Sequence, residues 1–176
     1  MQKFRRAFTL IELVITIALI SVAGALSAIV ISNLLNVQTL QSQSIEVEND
    51  LANVDEVIRK YVSIIAIESE ELSFTDPVVQ NDKNIVITNG SYTDSLSAVH
   101  SFKVTLIYTE SNLRYSWEWE DNYNSMPDYE NFCTPTGYYV KTIRNVNFEF
   151  DTALRLFIAD IMTVSGTTRS VYVVRG

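Results

Sequence analysis

The chain has 176 residues, 47% of them hydrophobic and 19% charged, with a formal net charge of −8. That balance excludes wholesale disorder and suits one modest domain with a core, plus one appended element. A single cysteine (Cys133) and a single histidine (His100) exclude an intramolecular disulfide and a four-ligand Cys/His zinc site. Neither carries a local catalytic signature, so both read as structural residues, and no cofactor and no enzymatic activity are expected.

The first seven residues hold Lys3, Arg5 and Arg6 and no acid. Without those three, ten of the 13 basic residues face 21 acidic ones, a net charge of −11. The later basic residues, among them Arg114, Lys141, Arg144, Arg155, Arg169 and Arg175, are scattered along the chain. A body this acidic, with no basic patch, repels a phosphate backbone, and direct nucleic-acid binding is not expected.

From Leu13 to Ile45 no residue is charged, and Leu13–Leu35 is apolar on every face. Those residues would span roughly 35 Å as a helix, enough to cross a hydrocarbon core and too long for a buried soluble helix. The basic trio places the N-terminus in the cytoplasm and the acidic body outside, by the positive-inside rule. An ordinary secretory signal has its small-residue junction after the apolar run. Here the candidate junction, Ala7–Phe8, lies before it, so a cut there leaves the helix on the mature chain.

The string Arg6-Ala7-Phe8-Thr9-Leu10-Ile11-Glu12-Leu13, followed by that run, resembles the type IV prepilin signal shared by pilins, type II secretion pseudopilins and competence pseudopilins. The resemblance covers about the first 35 residues. It implies a membrane prepilin peptidase that cuts between Ala7 and Phe8 and N-methylates Phe8. It also implies other pilin or pseudopilin subunits as partners in an extracytoplasmic filament. Two features depart from the family pattern. Ala7 stands where the family most often has glycine, and no proline kinks the helix, the first in the chain being Pro77.

Glu12 is a carboxylate at the edge of the apolar span, where an unpaired charge costs roughly 2.5–3.5 kcal/mol and is usually functional. Two readings coexist. Thr9 and Glu12 have the T-x-x-E spacing of a capping box. The resemblance implies that Glu12, fifth in the mature chain, pairs with the Phe8 amine of a neighbouring subunit. Further along, Gly24 and Ala28 form a small-xxx-small pair that permits close helix approach during assembly.

Beyond Leu35 the chain becomes polar without a helix breaker. Val47, Leu51, Val54, Ile58, Tyr61 and Ile65 recur every three or four residues, predicting one helix from about Thr9 to about Ile65 whose second half is amphipathic. After Phe74 the period changes. Segments 84–88, 102–109, 113–120, 138–143, 146–150, 154–164 and 170–175 read as strands of one antiparallel sheet that covers the helical stripe. The expected fold is α+β: a leader (1–7), a membrane or filament-core helix (8–35), its amphipathic continuation (36–66) and a β-rich head (67–176). The segment Glu118–Pro135 reads as an acidic loop. No metal site is expected there: Asp121, Asp128 and Glu130 come nearest to a calcium ligand set but lack EF-hand spacing.

The function expected is a structural, minor subunit of a pilus-like or pseudopilus filament for secretion, adhesion or DNA uptake. Two alternatives stay open at this stage: a head that binds DNA, a surface or exported cargo, and a single-pass anchored ectodomain unrelated to filaments.

Overall fold

A 56-residue helix, α1 (Leu10–Ile65), begins the computed structural model, which describes residues 9–123 and 137–176. The chain divides into two units, the first ending at Ile45 and the second spanning Glu46–Gly176.

In the first unit every described residue is exposed, including the whole apolar run. The helix is long and apolar enough to cross a membrane. Four of its hydroxyls are satisfied within the helix. Thr16, Ser21, Ser27 and Thr39 donate to the carbonyls of Glu12, Ile17, Ala23 and Leu35, four residues back, at 2.7–2.9 Å. Such back-bonding lets a hydroxyl lie in an apolar medium without an outside acceptor.

In the second unit the expected stripe is buried, and it is wider than the periodicity implied. Leu51, Val54, Ile58, Tyr61 and Ile65 are joined in the core by Val57, Val62 and Ile64. The reason lies in the strands, which build two sheets rather than the single sheet expected. They are β1 (Leu72–Phe74), β2 (Val78–Gln80), β3 (Ile85–Thr93), β4 (Val99–Thr109), β5 (Asn112–Trp119), β6 (Gly137–Tyr139), β7 (Ile143–Asp151), β8 (Leu156–Thr163) and β9 (Thr168–Val174). The larger sheet runs β1-β3-β4-β5-β6, with β2 also on β3, and the smaller runs β7-β8-β9. Every pairing is antiparallel. Tyr61 meets both sheets: its hydroxyl lies 2.5 Å from Thr88 Oγ1 on β3, and its ring centroid 5.6 Å from that of Phe157 on β8.

β1 and β2 lie outside the segments expected as strands, and the expected strand over 138–143 is interrupted; both departures have physical reasons. β1 and β2 share one edge of β3 on either side of Asp76-Pro77, and proline, lacking an N–H, interrupts an edge strand. The segment expected as one strand over 138–143 is broken after Tyr139. There the backbone N–H and the hydroxyl of Thr142 both turn to the buried Asp50 carboxylate of α1, at 2.8 and 2.7 Å.

The chain also returns to close the helix. Arg175, almost fully buried, donates from Nε to the Ile65 carbonyl at 3.0 Å and from Nη1 to Asp76 Oδ1 at 3.0 Å. The last turn of α1 has no basic residue of its own, so Arg175 supplies the positive charge that a helix C-terminus favours. The turn from β2 to β3 places Asn81, Asp82 and Lys83 at φ 47°, 56° and 70°. Three consecutive non-glycine residues in the left-handed region carry real backbone cost. The turn is held by Phe148 N–H bonding the Lys83 carbonyl (2.7 Å) and Tyr108 N–H bonding that of Asn84 (3.0 Å).

Asp50→Ala leaves the partly buried Thr142 N–H without its acceptor and is expected to lower stability by about 1 kcal/mol, with Asp50→Asn costing less because an acceptor remains. Lys83→Gly relieves the left-handed strain and is expected to raise stability by roughly 0.5 kcal/mol. Denaturant unfolding of the full chain in detergent, followed by tryptophan fluorescence, checks both signs.

Candidate assembly site on the N-terminal helix

The start of α1 is built by two side chains. Thr9 precedes the first helical residue, and its backbone N–H and Oγ1–H both donate to Glu12 Oε2 at 2.9 Å. The Glu12 N–H returns to Thr9 Oγ1 at 3.4 Å. This is a capping box, which satisfies donors that the first helical turn cannot pair within itself. Glu12 also puts negative charge at the positive end of the helix dipole, where it is favoured. It is exposed, and the next charged residue along the helix is Glu46. The site therefore offers a single carboxylate at the entrance to an uncharged stretch of helix, able to accept from a cationic donor.

Gly24 and Ala28 lie one helical turn apart and are exposed. A Cβ built on Gly24 would meet nothing within 4 Å, so no packing inside this chain requires a glycine there. Lys3, Arg5, Arg6, Ala7 and Phe8 lie outside the described residues, as do Cys133, Asp128 and Glu130.

Asp121 is described, and its carboxylate is bonded to His100, Nδ1 to Oδ2 at 2.7 Å. Among the described residues no group of three or more His, Cys, Asp or Glu side chains is arranged to hold a metal ion. His100 had no distinguishing local motif in the sequence, yet it also faces Asp94 Oδ2 at 3.3 Å. The hydrogen bond that the ring makes to Asp121, and then that to Asp94, raises its pKa above the ordinary histidine value against a partial opposing effect of burial. Nothing in the local sequence flags this trio, because it forms only when β4 and β5 pair.

With this geometry in place, the comparison with known families is decisive for the first thirty residues. The family model of the prokaryotic N-terminal methylation motif matches residues 2–31. The chain carries a type IV prepilin signal. Ala7, Phe8, Glu12, Gly24 and Ala28 all fall within the matched stretch, and the head lies beyond it. No curated protein and no solved structure matches the chain.

Thr9→Val keeps the side-chain shape but removes the hydroxyl from both side-chain bonds of the capping box. It is expected to loosen the first turn by about 1 kcal/mol, read as several-fold faster hydrogen exchange at the Glu12 amide, with Thr9→Ser restoring protection. Exchange measured by NMR on the detergent-solubilised chain checks this.

Proposed function

We propose that this chain is a structural, non-catalytic subunit, and a minor one, of a type IV pilus-like or pseudopilus filament for secretion, adhesion or DNA uptake. The observation that carries the reading is the methylation motif over residues 2–31, which runs into the apolar first part of α1. The absence of a helix-kinking proline and the atypical Ala7 favour the minor role.

In this reading the chain enters the cytoplasmic membrane as a precursor. Lys3, Arg5 and Arg6 keep its N-terminus inside, and the head stands outside. A prepilin peptidase cuts between Ala7 and Phe8, discards residues 1–7 and methylates the new amine of Phe8. Residues 8–35 then pass from lipid into a filament core, an exchange of one apolar medium for another. Residues 36–66 continue the helix into the head formed by residues 67–176.

Glu12 acts at that transfer. In the subunit its carboxylate is held by Thr9. In the filament the Phe8 ammonium of a neighbouring subunit supplies the opposite charge, so that neither group is buried unpaired. Gly24 supports the same reading from a different direction. A glycine inside a helix costs roughly 0.5–1 kcal/mol relative to alanine. No atom of the subunit occupies the space that its missing side chain leaves. Close approach of a second helix at Gly24 and Ala28 makes use of that space.

Intact-mass and N-terminal peptide mass spectrometry on the native membrane protein tests the pathway. A chain starting at N-methyl-Phe8 is expected; a chain still starting at Met1 beside an active prepilin peptidase overturns the reading. Glu12→Val is expected to insert and be cleaved as usual but to enter filaments poorly. Normal incorporation of that variant would remove Glu12 from assembly while leaving the cleavage result standing.

A further inference from the structure

His100 stands near the start of β4 among groups drawn from three parts of the head. β3 contributes Tyr92, whose ring lies 6.4 Å from the imidazole at an interplanar angle of 25°. The turn between β3 and β4 contributes Asp94, 3.3 Å from Nε2. Residues at and beyond the end of β5 contribute Trp119, edge-on at 6.3 Å, Asp121, 2.7 Å from Nδ1, and Tyr123, stacked at 3.7 Å. Among the described residues, the titratable groups facing the ring are thus two carboxylates and two phenols.

Both ring nitrogens point at carboxylate oxygens. A neutral imidazole has one N–H and one lone pair, so it satisfies one of these carboxylates and presents its lone pair to the other. An imidazolium donates to both, and the face of Tyr123 against it adds a favourable contact between a cation and a π system. The same two carboxylates are rooted in their local backbone. Asp94 Oδ1 accepts from the Leu96 and Ala98 amides at 2.9 and 2.8 Å, and Asp121 Oδ1 from the Tyr123 amide at 3.2 Å. Each carboxylate therefore gives one oxygen to its own turn and the other to the histidine. The imidazole is the tie between two turns that are 27 residues apart in sequence, Asp94 to Asp121.

We propose that His100 is a pH-operated latch, which as an imidazolium pins the chain leaving β5 at Asp121–Tyr123 to the β3–β4 turn at Asp94, and which lets go when it loses its proton. This is independent of how the N-terminal helix is processed. The direction follows from the partners. Hydrogen bonds to carboxylates hold the proton on the ring past the ordinary histidine value of about 6.5. The latch then contributes fully below that value and is lost as the pH rises through the higher, folded-state one. It is shut in acidic surroundings and opens on the alkaline side.

The composition makes the test clean. His100 is the chain's only histidine, and Trp117 and Trp119 are its only tryptophans. NMR titration of the full chain in detergent, in buffer containing a chelator, follows the imidazole alone, while tryptophan emission follows its neighbours. The expected result is an imidazole midpoint above 6.5, with a change in emission at the same midpoint. A midpoint at or below 6.5, or emission that does not follow the imidazole, overturns the latch. The wild-type titration decides this without any variant. Asp121→Asn and Asp94→Asn are each expected to lower the midpoint, and one that leaves it in place removes that carboxylate from the latch.

Discussion

Tyr61 is the point on which the head turns. Its ring and hydroxyl are fully buried, with Phe157 of the smaller sheet against one and Thr88 of the larger sheet against the other. A buried phenol must find a partner for its hydroxyl, and its bulk must be enclosed on every side. Both demands are met only if the two sheets close on the same helix face. Burial accordingly pushes the Tyr61 hydroxyl pKa upward, which keeps it neutral. The other polar ties take their places around this contact. Asp50 holds the strand junction at Thr142 towards one end of the buried helix, and Arg175 holds the Ile65 carbonyl at the other.

Much of this was legible before any coordinates. The apolar run, the switch to a three-four stripe at Val47 and the alternation Leu113, Tyr115, Trp117, Trp119 are local patterns, and local patterns survive in a linear string. What could not be read was pairing. β1 and β2 are three residues each, split by Pro77, and too short to show a period. The division into two sheets depends on a break at residues 140–142 whose cause, Asp50, lies 92 positions away. The candidate site divides the same way. The prepilin signal is a contiguous motif and was readable in full, whereas His100, Asp94 and Asp121 are joined only by strand register and the chain that leaves β5.

A glycine on β3 shows how small a sequence feature can set a local arrangement. Gly90 sits opposite Phe102 on β4, and a Cβ there would run into the Phe102 ring. With that space open, the ring lies across the strand and stacks on Trp117 at 3.7 Å, with Phe74 edge-on at 5.5 Å. This aromatic layer continues through Trp119 to Tyr123 and His100. The surroundings of the imidazole thus trace back in part to a missing methyl group two strands away from Trp119.

The bond from Arg175 to Ile65 spans 110 residues of sequence. A contact of that reach cannot form until nearly the whole head has been made, and closing so large a loop is entropically slow. During synthesis, then, the end of α1 and the edge of the larger sheet wait for Arg175, which follows β9. The head is closed by the residue that follows β9, in the manner of a clasp fastened after the strands before it are in place. A ribosome that stalls shortly before Arg175 leaves behind an open structure with its apolar interior on display, which is what quality-control proteases act on.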